Sequence, residues 1–331
     1  MAKTYRWGIL GTGNIAAKFA TCLGVCDNAL LHAVGSRSQD GADTFGNRFK
    51  VPVRHASYEA LANDPDVDVI YVSTPHALHK DNTIQCLRAG KAVLCEKPFT
   101  LNLAEAEETF AVAKETGRFL MEGMWTRFFP AIGQVEKWIT AGAIGEPRMV
   151  QASFGFRMDF SERGRLWDPA LGGGSLLDVG IYPITIASIA FQDPPASICG
   201  AAHLSDRGVD EQAAFVLKYI GGRLAVLSSA VRTVTNWDAF IYGETGMIQI
   251  HSPFWQPDKV TLIPNNVTGK PGKTFEKPLE SLGFEYEIRE VMRCLDEGLT
   301  ECPAMPHRRT LEVMAIMDEL RRQWSMRYPG E

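Results

Sequence analysis

The 331-residue chain has no cluster of lysine and arginine longer than a pair, apart from the "HRR" at 307–309. With 34 basic and 39 acidic residues the formal net charge is only −5, so no nucleic acid partner is expected. The opening "MAKTYRWGIL" enters a strand-like run almost at once and has no apolar core of the kind a signal peptide needs. No apolar run is read as long enough to cross a bilayer, so a membrane partner is excluded and a cytoplasmic location is expected. The seven cysteines are scattered and odd in number, which does not suit a disulfide scaffold. Cys22 and Cys26 stand four apart as metal ligands sometimes do, but no second pair follows. All seven are read as small buried apolar residues, and no metal site is expected. Internal repeats and low-complexity tracts are lacking too.

What is present is a change of rhythm near residue 123. Up to that point short apolar runs alternate with helical stretches, the signature of βαβ units on a parallel sheet. Strands are expected at 6–10, 30–36, 67–74, 91–98 and 118–125, and helices at 14–23, 57–65, 79–90 and 102–117. Beyond a helix near 131–141, strands follow one another with little helix between them: 149–157, 197–204, 213–220, 223–232, 237–244, 246–252 and 259–264. Gly221 and Gly222 join two of these at hairpin spacing. Two amphipathic helices close the chain, with Phe284, Ile288, Val291, Met292 and Leu295 on one stripe and Leu311, Met314, Met317, Leu320 and Trp324 on the other. The fold class is therefore α/β. A doubly wound parallel sheet is expected over residues 1–123, and over 124–331 an α/β domain with a large, open, mostly antiparallel sheet.

The stretch "WGILGTGNIA" places Gly11, Gly13 and Ala16 at GxGxxA spacing, between an expected strand and an expected helix. In that context backbone N–H groups and the helix dipole face a diphosphate, and the missing side chains permit close approach. Gly11, Thr12, Gly13, Asn14 and Ile15 are accordingly the candidate dinucleotide turn. The second strand ends in Ser36, Arg37 and Ser38, where NAD sites carry an acid; the nearest one downstream is Asp40. A guanidinium and two hydroxyls suit the 2′-phosphate of NADP. A solvated arginine with NAD bound instead is the competing reading.

"KAVLCEKP" delivers Glu96, Lys97 and Pro98 at a strand's C-terminal end, where open α/β sheets place ligands. A lysine there can protonate or polarise an alcohol or carbonyl oxygen. A second patch, "GGGSLLDVGIYP" at 172–183, sets Asp178 and Tyr182 four apart and so on one helical face, with Pro183 marking either a kink or a first turn. His76 and His79, three apart after a "TP" turn, have no evident third metal ligand.

The GxGxxA at 11–16, "TPHALH" at 74–79, "EKP" at 96–98 and "GGGSLLDVGIY" at 172–182, in this order, resemble the glucose-fructose oxidoreductase / inositol dehydrogenase family. "MEGMWTRFFP" and "WDPALGGGSLLDVGIYP" are similar to its branch of dimeric dihydrodiol dehydrogenases and NADP-dependent D-xylose dehydrogenases. The resemblance implies a Rossmann domain followed by a substrate-binding and oligomerisation domain, and a homodimer. It implies that Lys97 touches both cofactor and substrate hydroxyl, that Asp178 orients the substrate, and that Tyr182 is the acid/base. Thr74, Pro75, His76 and His79 would line the cofactor cleft, with Glu96 beside them. Trp125 and Arg127 would lie near the nicotinamide, and Trp167 would wall the substrate pocket. Many inositol dehydrogenase relatives carry histidine where Tyr182 stands, which favours aldoses or dihydrodiols over polyols. The expected activity is hydride transfer between NADP, NAD being the weaker choice, and a CH–OH or C=O carbon of a cyclic sugar or vicinal diol. Reduction of a keto or 1,5-anhydro sugar, or NADP binding by a non-catalytic regulator, are the alternatives.

Overall fold

A computed structural model describes residues 3–158, 164–265 and 272–331. The chain divides into two compact units, residues 1–128 with 279–311, and residues 129–278 with 312–331. The sequence reading placed a single boundary at 123/124; the chain instead returns to the first unit for one helix and its following turn.

The first unit alternates strand and helix: β1 (Tyr5–Leu10), α1 (Asn14–Leu23), β2 (Ala29–Gly35), α2 (Gln39–Phe49), β3 (Val53–His55), α3 (Tyr58–Ala62), β4 (Val69–Val72), α4 (His79–Arg88), β5 (Ala92–Glu96), α5 (Leu103–Thr116) and β6 (Leu120–Gly123). The six strands are parallel in the order β3-β2-β1-β4-β5-β6. Every residue of β4, β5 and β6 is buried, as expected where helices cover both faces of a parallel sheet. The strand order reverses between β1 and β4, the switch point at which such sheets bind ligands. Helix α2 and strand β3 escaped the sequence reading.

The second unit holds α6 (Pro130–Thr140), β7 (Pro147–Gly155), α7 (Ile181–Phe191), β8 (Ser197–Leu204), β9 (Asp210–Lys218), β10 (Leu224–Ala230), β11 (Ala239–Gly243), β12 (Gly246–Ile250), β13 (Lys259–Pro264) and β14 (Lys273–Glu276). Its eight strands run β14-β13-β12-β11-β7-β10-β9-β8, and every neighbouring pair is antiparallel except β7 with β10. The hairpin between β9 and β10 turns through Gly221 and Gly222, both at positive φ (80° and 79°). Burial alternates along β8, β9 and β10, so one face of the sheet is packed and the other open. Helix α7, buried at every position, packs on β7, β10 and β11. The helical stretch Pro169–Phe191 is long and apolar enough to cross a membrane, which corrects the reading that no such run exists. From Gly172 to Phe191 it is buried throughout, as the core helix of this unit. The chain then enters α8 (Phe284–Asp296) of the first unit and α9 (His307–Gln323), along which it passes back to the second.

Candidate active site

In the first unit, β1 is followed by Gly11 at φ 111°, and a Cβ there would press on Ser73 Oγ and the Ser73 carbonyl at 3.0 and 3.1 Å. The close approach is cemented by Gly11 N–H donating to Gly35 O (3.0 Å) and Ser73 N–H to Leu10 O (2.9 Å). Gly13 is the N-cap of α1, and among the described residues nothing lies within 4 Å of where its Cβ would be. Among the described residues no side chain caps this helix start, and no acid sits in its first turn. Its N–H groups are thus open to an anion, and this donor set fits the diphosphate of a dinucleotide. Thr12, Asn14 and Ile15 lie on the same turn.

At the end of β2, Ser36 is buried and its N–H donates to His55 O (3.0 Å). Ser38 caps α2, accepting from Gly41 N–H at 3.2 Å, so part of its hydrogen-bonding capacity is spent on structure. Arg37 is exposed between them, close enough to Tyr58 for its charge to oppose the upward push of burial on that phenol.

The "TPHALH" segment forms a clamp. Thr74 Oγ1 accepts from Asn82 Nδ2 (3.0 Å), and the buried His79 sets Nε2 against Thr74 O and Nδ1 against Pro98 O, each at 2.8 Å. Both partners are carbonyl acceptors, so only the doubly protonated ring satisfies the two together. With both nitrogens spent on the main chain, His79 braces the cleft and is no metal ligand. His76 is buried beside it, ring centroids 5.7 Å apart, and Pro75 precedes it.

His79 thereby grips the residue after Lys97, and the Lys97–Pro98 bond is cis. Lys97 N–H donates to Glu96 Oε2 (3.2 Å), while Tyr71 donates its hydroxyl proton to Glu96 Oε1. Two acids that the sequence reading missed lie near: Glu122 and Glu287, both fully buried. Burial pushes the Glu122 carboxyl up to about 7, with Glu96 adding to the rise while a Thr310 hydrogen bond (2.7 Å) and Lys97 oppose it. Among the described residues neither Glu287 oxygen has a hydrogen-bond partner, and burial together with Glu96 raises this carboxyl well above the usual range. The signal in the sequence was an acid on the apolar stripe of α8, three residues from Phe284. Trp125 stacks on Phe284 (4.6 Å, 26°), and Arg127 Nε donates to Ala304 O at 2.9 Å. Cys22 and Cys26 are buried, Cys26 Sγ approaching Cys22 O at 3.3 Å, with its thiol pushed up to about 12 by burial.

In the second unit the glycine run folds over a buried acid. Asp210 Oδ2 accepts from Ser175 Oγ (2.6 Å) and Leu176 N–H (2.8 Å), and Tyr328 donates to Gly173 O (2.6 Å). Gly174, at φ 108°, approaches the Asp210 carboxylate so closely that any Cβ would overlap it. Desolvation lifts Asp210 to about 7 against those hydrogen bonds. From this anchor the chain makes a π-helical turn, Leu176–Gly180, continuous with α7, and Pro183 falls in the first turn of α7. Asp178 and Tyr182 are one turn apart on this stretch. Asp178 pairs with Arg165 Nη2 at 2.7 Å, a partner absent from the sequence reading. Tyr182 sits in an aromatic nest: Phe154 at 5.6 Å, and Trp255, stacked on Phe154 at 3.5 Å and meeting Trp237 edge-on at 5.1 Å. Trp237 and Trp255 are half-buried here, whereas Trp167 is 1% exposed.

Comparison with known proteins agrees with these two halves. Residues 5–124 match the model of an oxidoreductase family with an NAD-binding Rossmann fold, and residues 132–249 that of the GFO/IDH/MocA C-terminal domain. Trans-1,2-dihydrobenzene-1,2-diol dehydrogenases from Xenopus tropicalis and Bos taurus are 36% and 34% identical, each over 98% of this chain and 99% and 98% of theirs. A 3-ketoreductase from Actinomadura kijaniata, solved with NADP and TDP-benzene, superposes with TM-score 0.85 at 29% identity over 97% of this chain and 98% of its own. An aldose-aldose oxidoreductase from Caulobacter crescentus, complexed with glycerol, gives 0.87 at 26% identity over 97% of each. The chain belongs to the GFO/IDH/MocA oxidoreductase family and is an NAD(P)-dependent dehydrogenase acting on CH–OH groups.

Proposed function

We propose that the chain is an NADP-dependent dehydrogenase of a cyclic sugar or vicinal diol. The observation that carries the substrate class is the surroundings of Tyr182. Half-buried Trp237 and Trp255, packed with the buried Phe154, suit the C–H face of a six-membered ring, and Asp178 and Tyr182, one helical turn apart, suit two neighbouring hydroxyls. Arg37, with Ser36 and Ser38, binds the 2′-phosphate, and the dinucleotide turn Gly11–Ile15 takes the diphosphate. Thr74, Pro75, His76 and Glu96 line the cofactor site, with Trp125 and Arg127 toward its nicotinamide end, while His79 supports it from behind.

The bound dinucleotide supplies a hydride acceptor or donor at nicotinamide C4. Tyr182 takes the proton from the substrate oxygen in oxidation and returns it in reduction. A free phenol titrates near 10. Lys97 is proposed to act on the same substrate oxygen, where its ammonium would favour the phenolate electrostatically. Asp178, fixed by Arg165, orients the adjacent hydroxyl, and Trp167 backs the substrate wall. Glu96, accepting from Tyr71 and from the Lys97 backbone, holds Lys97 in place. The likeness to a 3-ketoreductase favours one second reading, reduction of a keto sugar by the same residues run in reverse. We further propose a homodimer formed through the open face of the eight-stranded sheet, where Leu224 and Val226 are exposed.

The test is NADPH absorbance with a panel of aldoses, polyols, trans-dihydrodiols and keto sugars, each with NADP and NAD. Turnover of an aldose or trans-dihydrodiol with NADP is expected. Turnover confined to acyclic polyols, or preferring NAD, overturns the proposal.

A further inference from the structure

A cluster of soft and hard donors lies at the far end of α8, built from residues that have no part in the site proposed above. Glu290 and Cys294 stand one turn apart on that helix, and Cys302 lies on the turn that follows, where Met305 N–H donates to Cys302 O (3.1 Å). The Glu290 Oε1 atom is 3.3 Å from Cys302 Sγ and 3.9 Å from Cys294 Sγ, and the three ligand atoms all lie within 4.8 Å of one another. A tetrahedral zinc, with bonds of about 2.3 Å to sulfur and about 2.0–2.2 Å to oxygen, separates its ligands by about 3.5 Å (S···O) and about 3.8 Å (S···S). The observed spacings bracket the first value and admit the second. We propose that Glu290, Cys294 and Cys302 form a zinc site.

Charge and outer-sphere chemistry agree with this. Two thiolates and a carboxylate carry three negative charges, zinc two positive ones, and Arg293 the remaining positive one. Arg293 grips Glu290 through Nε to Oε2 (2.9 Å) and Nη2 to Oε1 (2.8 Å), and its Nη1 also pairs with Glu297 (2.7 Å). Turning Oε1 to the ion costs one of these bonds and keeps two, which leaves Arg293 as the partner that aims a ligating carboxylate. Both cysteines are fully buried while the Glu290 side chain is 20% exposed, so the ion enters on the carboxylate side and water takes the fourth position there. The paired thiols favour zinc over magnesium or calcium, which take oxygen donors.

The site would fasten one particular segment. Thr300 O accepts from Leu120 N–H (3.1 Å) and His307 Nε2 contacts Leu120 O (2.9 Å), so the turn carrying Cys302 covers the edge of β6. Zinc at this point ties the end of α8 to the cover of that edge, with release of the two thiol protons.

The full-length chain, reduced and stripped with a chelator, is titrated with zinc against a colorimetric metal dye, and in parallel with cobalt(II). One equivalent per chain is expected, with the near-ultraviolet thiolate-to-cobalt charge-transfer absorption and a zinc-dependent rise of several degrees in the thermal midpoint. All three should vanish in Cys302→Ser. If that variant fails to fold by circular dichroism, Glu290→Gln, which keeps both sulfurs, should weaken zinc at least tenfold. Absence of the charge-transfer band in the wild type overturns the proposal. So does a band undiminished in the variants, which would place the ion elsewhere, or thiol counting that finds the pair oxidised to a disulfide under the zinc-binding conditions.

Discussion

Asp210 offers a sharp test of how the glycine run is held. Its carboxyl is fully buried and lifted from the ordinary 3.8 to about 7, chiefly by desolvation. At about 1.4 kcal/mol per tenfold change in proton affinity, that rise corresponds to about 4 kcal/mol. The sign follows from proton counting. Below about pH 4 the folded and unfolded chains are both protonated at this position and nothing is lost. Between about 4 and 7 the unfolded chain has released the proton while the folded chain retains it, so stability falls as pH rises; above about 7 the full penalty stands. Asp210→Asn keeps an oxygen for Ser175 and Leu176 and cannot ionise. Asp210→Ala leaves those two buried donors unpaired, at about 1–3 kcal/mol each. We therefore expect the midpoint of urea unfolding of Asp210→Asn to gain on the wild type from pH 4.5 to about 7 and to level off above it, while Asp210→Ala follows the same pH dependence but lies below Asp210→Asn at every pH. Other buried acids such as Glu122 are common to both chains and cancel in the difference. Parallel wild-type and Asp210→Asn profiles across that range would refute the reasoning.

Two further outcomes can be checked independently. Gly174→Ala combines a positive φ with overlap on the Asp210 carboxylate, and should cost at least about 1–3 kcal/mol in the same unfolding assay; an unchanged midpoint would show that the turn relaxes freely. Arg37→Ala should raise the KM for NADP about 10- to 100-fold, the worth of charge-assisted hydrogen bonds to phosphate, and leave NAD nearly unaffected; equal losses for both would remove the 2′-phosphate role.

The Rossmann half was legible because its information is local. The apolar runs of β1, β4 and β5, the glycine spacing at 11–13 and the stop at Gly90, at positive φ, all speak within a few residues. Helix α2 was missed because "QDGADTFGNRF" buries only Ala42, Phe45 and Gly46, too thin a stripe to stand out among glycines and polar residues. Its Ser38 cap was visible, but was taken up in the phosphate reading. The fully buried α7 shows no periodic face at all, so length and hydropathy alone could not identify it as a buried helix. The return of α8 to the first unit, and the burial of Glu122, Glu287 and Asp210, depend on partners tens to hundreds of residues away. Thr310, for example, meets Glu122 across 188 positions. In the candidate site the residue types were readable and the supports were not: Arg165 on Asp178, Tyr71 on Glu96, and His79 between Thr74 and Pro98.

The central claim is that Lys97 and Tyr182 handle the proton of the reacting hydroxyl. Single-turnover absorbance at the nicotinamide band, with NADP and the best substrate of the panel, measures that step in Lys97→Met and Tyr182→Phe. Losses of about 10²- to 10⁴-fold are predicted for each, with NADP affinity kept within a few fold and the wild-type circular dichroism preserved. Wild-type single-turnover rates in Tyr182→Phe would contradict the account.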